Sequence, residues 1–191
     1  MKTKLTIIAF LLLLAVGVSA QSVNTTVESI RKRYEDIAEK ARLCKTDDDQ
    51  GQYGELVMNT IVVNSRNHQW RAVGIHQLTY DFYYAGGDSE KHVYPDQLVF
   101  VKIERRESNR TYSEEFLYTD SGSLMFYFQR AENDDQVPAE RRIYFSGLKA
   151  IRMVEDGKTR DRLNVKDNKA VRYVNASNVV IKDLFDRSIK L

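Results

Sequence analysis

The hydrophobic positions of this chain change their period along its length. Leu5 to Val18 is apolar almost without interruption. Over residues 25–45, Val27, Ile30, Tyr34, Ile37, Ala41 and Cys44 recur at alternating steps of three and four, which predicts a helix with one apolar stripe. Thr25 and Glu28 have capping-box spacing at its start. Glu28 with Lys32 and Asp36 with Lys40 are favourable pairs one turn apart on the opposite side. Cys44 falls on the stripe and reads as a small buried hydrophobe. Lys45 to Tyr53 is a polar linker. Its Asp47, Asp48 and Asp49 lack the glycine and glutamate positions of a calcium loop.

From Gly54 the period becomes two. Leu56, Met58, Thr60 and Val62 alternate with Glu55, Val57, Asn59 and Ile61. After a turn at residues 65–68, Trp70 to Tyr84 reads as one long strand with Trp70, His76, Leu78, Tyr80 and Phe82 on one side and Gly74 as the place for a bend. Gly86 to Ser89 is turn chemistry. Further strands follow at residues 97–105, 112–119, 124–130, 141–145 and 148–154. The first of these is apolar on both faces and is therefore central. Residues 167–189 carry a partial helical stripe interrupted near Asn175 and Asn178, which predicts one or two helices. The order is helix, about seven strands with short turns, then helix. It predicts an α+β fold, an antiparallel meander sheet packed by its terminal helices. A lipocalin-like, partly closed barrel is the alternative.

Lys2 and Lys4 precede the apolar run, and Val18-Ser19-Ala20 ends it. That order is the signature of a secretory leader, too short to span a membrane well. Cleavage is expected after Ala20, with residues 21–191 forming one domain in the periplasm or outside the cell. No membrane span is expected beyond the leader. The chain has 29 Lys plus Arg and 27 Asp plus Glu. Losing Lys2 and Lys4 makes the two counts equal, so global charge argues against a nucleic-acid partner. The single cysteine cannot form an internal disulfide, and a leader without a disulfide framework points to a bacterial source. The Asn-x-Ser/Thr triplets at Asn24, Asn109 and Asn175 would be glycosylation acceptors in a eukaryotic secretory path and carry no meaning in a bacterium.

Two hairpins echo one another. Tyr118 to Phe126 and Tyr144 to Ile151 each join an aromatic strand end, a Gly turn and a Leu that begins an apolar alternation. The stretch resembles the Tyr/Gly/Leu hairpins of exported bacterial proteins of unknown function. The resemblance implies an envelope protein and transfers no active site.

Candidate chemistry is sparse. His68, His76 and His92 lack partners at metal-ligand spacing, and His76 reads as a hydrogen-bonded core residue. Ser121, Ser123 and Ser146 lie in predicted hairpin turns and not at a nucleophile elbow. Glu114 and Glu115 point to opposite faces of one strand. No catalytic residue, metal ligand or cofactor is assigned. What stands out is arginine among tyrosines on consecutive strands. Arg130, Arg142, Arg152, Tyr112, Tyr127 and Tyr144 are the candidate binding residues, on an outer sheet face suited to an envelope glycan, a lipid headgroup or an acidic protein. Pairing of these arginines with Glu104, Glu114, Glu115 and Glu140 is the structural alternative. A carrier with Trp70, Leu78, Tyr80 and Phe82 around an apolar pocket is the second functional reading. An enzyme assembled by the fold from isolated His and carboxylates is the third.

Overall fold

A computed structural model describes residues 2–46, 56–72, 74–87, 90 and 93–190, with side chains from Gln21 onward. The Asp47–Asp49 run, Asp88, Ser89 and His92 lie outside the described residues. The elements are α1 (Lys2–Thr46), β1 (Val57–Val63), β2 (Gln69–Trp70), β3 (Gly74–Gly86), β4 (Pro95–Glu107) and β5 (Arg110–Tyr118). They continue as β6 (Leu124–Glu132), β7 (Glu140–Ser146), β8 (Lys149–Glu155), β9 (Lys158–Arg160) and α2 (Val165–Ser188). The fold is α+β.

All strand pairs are antiparallel, in the order β1-β3-β4-β5-β6-β7-β8-β9, with the short β2 beside β3. β1 and β9 do not pair with each other, so the sheet is open and not a closed barrel. The long strand expected from Trp70 divides at Gly74, whose φ of 72° suits glycine. That division and the short β9 raise the strand count from about seven to nine among the described residues. The two echoing hairpins share a further feature. Each has a register shift beside its aromatic residue, between Leu117 and Tyr118 in one and between Tyr144 and Phe145 in the other.

The helices lie on opposite faces of the sheet. On one face Val27, Ile30, Ile37 and Ala41 of α1 pack with Tyr83, Phe100, Leu117, Phe126 and Tyr144. On the other, Val174, Ile181 and Phe185 of α2 pack with Phe82, Val101, Phe116, Tyr127 and Ile143. The expected arrangement, both helices beneath one side and an outer face in solvent, is therefore corrected. The central strands are apolar in both directions, as in Phe116-Leu117-Tyr118, and each side needs its own cover.

Two local expectations also change. The helix does not begin at Thr25. It runs through that position, where Thr25 and Thr26 donate their hydroxyls to the carbonyls of Gln21 and Ser22 four residues back. The capping box sits instead at α2. There Asn164 Oδ1 accepts from the Asp167 amide and Asp167 Oδ2 from the Asn164 amide, both at 3.0 Å. α2 continues through Asn175 and Asn178 as a single helix of 24 residues. Cys44 is half-buried on the α1 stripe, with its thiol 3.5 Å from the Leu56 carbonyl.

Candidate functional site

α2 leaves part of its sheet face uncovered. Beside it, a cleft of about 330 Å³ opens between the helix and strands β3, β4 and β5. Strand alternation places Leu78 and Tyr80, Ile103 and Arg105, and Glu114 on this side. Tyr173, Ala176, Ser177, Val180 and Ile181 supply the opposite wall from successive turns of α2, a spacing that keeps them on one helix face. Tyr173 and Val180 remain 53% and 57% exposed, so they border the cleft without filling it. The volume lies within the range of small-molecule sites.

One group in this cleft is out of keeping with its walls. Glu114 is 8% exposed and stands in the row Tyr112, Glu114, Phe116, Tyr118 on the α2 side of β5. Tyr127 donates its hydroxyl to Glu114 Oε2 at 2.9 Å, in a buried contact. Burial pushes the Glu114 carboxyl above the ordinary carboxylate range. The Tyr127 bond and the charges of Arg105 and Arg141 offset only part of that rise. Tyr80 is raised too, by burial first and then by the charges of Glu114 and Tyr173.

A polar chain leads away from Glu114 beneath α2. Tyr127 also contacts Gln129 Oε1 at 3.3 Å, and that oxygen accepts from Arg141 at 3.1 Å. Arg141 bonds Glu155 at 2.8 Å, and Arg160 bridges Glu155 to Asp167 in the cap of α2. For Glu155 burial alone raises the pKa, but the bonds from Arg160 and Arg141 outweigh it and hold the carboxyl below its usual value. The chain joins five strands to the helix start, so the same side chains position the sheet floor and the helical wall of the cleft.

The six arginines and tyrosines expected to share a surface are divided between the two faces. Arg130, Arg142, Arg152 and Tyr144 lie on the α1 side, and Tyr112 and Tyr127 on the α2 side. All three tyrosines are buried. Tyr144 accepts from Arg31 at 3.1 Å, and Tyr112 donates to Asp134 at 2.6 Å. Arg152 is held by Asp161 and donates to Asn24 at 2.8 Å. Arg142 pairs with Glu140 at 2.7 Å and Arg130 approaches the same carboxylate at 3.7 Å, with both guanidinium groups 5.7 Å from the Phe128 ring. These arginines are thus engaged by carboxylates, but only Arg130 with Glu140 is an expected cross-strand pair; Arg142 meets the same Glu140 along its own strand, and Arg152 meets Asp161 beyond β9.

Of the four residues placed around an apolar pocket, Leu78 and Tyr80 line the cleft. Phe82 is fully buried behind it, 5.9 Å from the Phe185 ring. Trp70 stands outside, 46% exposed and 4.8 Å from the His76 ring. His76 Nδ1 is 3.7 Å from Glu107, beyond hydrogen-bond reach. Reasoning from sequence missed Tyr173 and gave Glu114 only the structural role of a partner for the arginines. The signal for Glu114 was a single carboxylate in an aromatic row of period two.

A second groove, of about 540 Å³, runs between α1 and the two hairpin turns. Thr25, Thr26, Ser29, Ser121, Ser123 and Ser146 line it with hydroxyls, and no ionisable side chain does. The cleft beside α2 therefore has the more specific chemistry. Comparison of the chain with models of protein families, with curated proteins and with solved structures finds no match.

Proposed function

We propose that this is an exported bacterial envelope protein of the non-catalytic, carrier type, which holds a small amphipathic ligand in the cleft between α2 and strands β3–β5. The observation that carries the reading is a cleft of about 330 Å³ with apolar walls and one buried, incompletely bonded carboxylate. Apolar walls supply affinity and a few placed polar groups supply orientation. Export rests on the leader-like residues 1–20. The stripe of α1 that packs on the sheet among the described side chains, Val27, Ile30, Ile37 and Ala41, lies wholly within a chain cleaved after Ala20.

The chemistry of the lining favours binding over turnover. Its residues include neither histidine nor cysteine, and its one carboxylate, Glu114, is bonded by the Tyr127 hydroxyl. Mass spectrometry of the protein isolated from its native envelope tests the reading. The expected chain begins at Gln21 and carries a small molecule that is absent from Ala176→Trp, in which the indole occupies the cleft. A chain beginning at Met1, or a co-purifying molecule retained in full by Ala176→Trp, overturns it.

A further inference from the structure

Three carboxylates are buried among the described residues: Asp81, Glu114 and Asp167. Two of them have a cation in contact. Lys45 bonds Asp81 at 2.7 Å, and Arg160 bonds Asp167 at 2.8 Å. Glu114 has only the phenol of Tyr127. The neighbouring cations are committed elsewhere. Arg105 bonds Glu107 at 2.9 Å and lies 4.1 Å over the Tyr112 ring, and Arg141 bonds Glu155 at 2.8 Å. A carboxylate withdrawn from water without a counter-ion is costly, and natural proteins pair such groups. Here the side from which an ion can reach Glu114 is the cleft.

The walls suit the same kind of ion. Tyr80 and Tyr173 line the cleft beside Glu114, and aromatic faces attract ammonium groups. Leu78, Ile103, Val180 and Ile181 offer an apolar path for a short hydrocarbon. An anionic headgroup would meet Glu114 with Arg105 already neutralised by Glu107.

We propose that the ligand of the cleft is a monocationic amphiphile, an alkylammonium-type molecule whose charged nitrogen pairs with Glu114 between Tyr80 and Tyr173 and whose hydrocarbon lies along α2. This rests on the cleft being the binding site, and the experiment separates the two claims. Octylamine, octanol and octanoate share one chain and differ in head charge at neutral pH. Titration calorimetry of the purified protein with each, at about millimolar ligand, is expected to rank octylamine at least about tenfold tighter than octanol, with octanoate weakest. Glu114→Gln is expected to bring octylamine to the affinity of octanol, and Ala176→Trp to abolish binding of both.

Octanoate binding as tightly as octylamine, with Ala176→Trp still blocking, overturns the cationic headgroup and leaves the cleft as the site. Octylamine binding that Ala176→Trp does not change overturns both. Absence of heat with all three compounds overturns the inference as well. The ligand series on the unaltered protein decides the matter even where a variant fails to fold.

Discussion

Glu114 is a residue whose placement works against stability. From every element packed around it, the facing groups are Tyr80 on β3, Arg105 on β4, Tyr127 on β6, Arg141 on β7 and Tyr173 on α2. Together they do not restore what burial takes from the ionised form, and the carboxyl is raised above its ordinary 4.5. A carboxyl raised in the folded state stabilises most when protonated in both states, below its unfolded pKa. That contribution is lost as pH rises through the folded value. Glutamine carries no such proton and keeps an oxygen for the Tyr127 hydroxyl. Glu114→Gln is therefore expected to be more stable than the unaltered protein at neutral pH. The advantage should shrink as pH falls below the ordinary carboxylate range. Urea midpoints of both proteins across that interval measure it, and a variant less stable at neutral pH than in acid, relative to the unaltered chain, contradicts it. A residue that costs stability without another role is readily replaced, which is the physical reason to assign it one.

At the scale of elements, α2 is the movable-looking wall that is in fact anchored. Its first turn is tied to the sheet through Arg160, which spans Glu155 and the 2%-exposed Asp167. Arg160→Ala strands Asp167 and leaves Glu155 to Arg141 alone. Breaking such a pair by removing one partner costs about 3 kcal/mol, and urea denaturation at neutral pH should read a loss of that order. The sign with pH is opposite to that of Glu114. Glu155 is held below its usual value, so its contribution is present above the unfolded carboxylate pKa and is lost as pH falls through the folded one. The deficit of Arg160→Ala should accordingly narrow in acid. These elements were unevenly legible in the sequence. Period-two alternation located β4 to β8 within a few residues, because each strand buries a full side. The α1 stripe was legible for the same reason. The start of α1 was not, since Thr25 bonds back into a helix as readily as it caps one. The cleft was not legible either. Its floor and wall, Glu114 and Tyr173, are far apart in the chain and meet only because α2 returns across β3–β5. The arginines misled because consecutive strands were treated as one face. Alternation divides the tyrosines: Tyr127 stands opposite Ile143, so Tyr144, the next residue, faces the other side.

At the scale of the whole molecule, a nine-stranded open sheet has two apolar faces and one helix for each. Neither helix is dispensable, and the magnitudes say why. Burial of a valine or isoleucine is worth about 1.5–3 kcal/mol. Val27, Ile30 and Ile37 of α1 together supply about 5–9 kcal/mol on that scale, comparable with the whole stability of an ordinary domain, about 5–15 kcal/mol. Their removal also uncovers Tyr83, Phe100, Leu117, Phe126 and Tyr144, all now buried. Residues before Gln21 belong to the same helix, and the described stripe, with Val23 partly buried and Val27, Ile30 and Ile37 buried, lies wholly within a chain that begins at Gln21. A chain beginning at Gln21 should therefore melt in one cooperative transition at the temperature of the full-length chain. A chain beginning at Leu56 should show no cooperative transition and should bind the dye anilinonaphthalene sulfonate, the mark of an uncovered apolar face. Scanning calorimetry of the two shortened chains decides between this two-helix requirement and a sheet stabilised by α2 alone. Cooperative melting of the Leu56 chain at an unchanged temperature would establish the latter, because a face already covered by nothing but water could not lose three buried aliphatic side chains without a measurable fall.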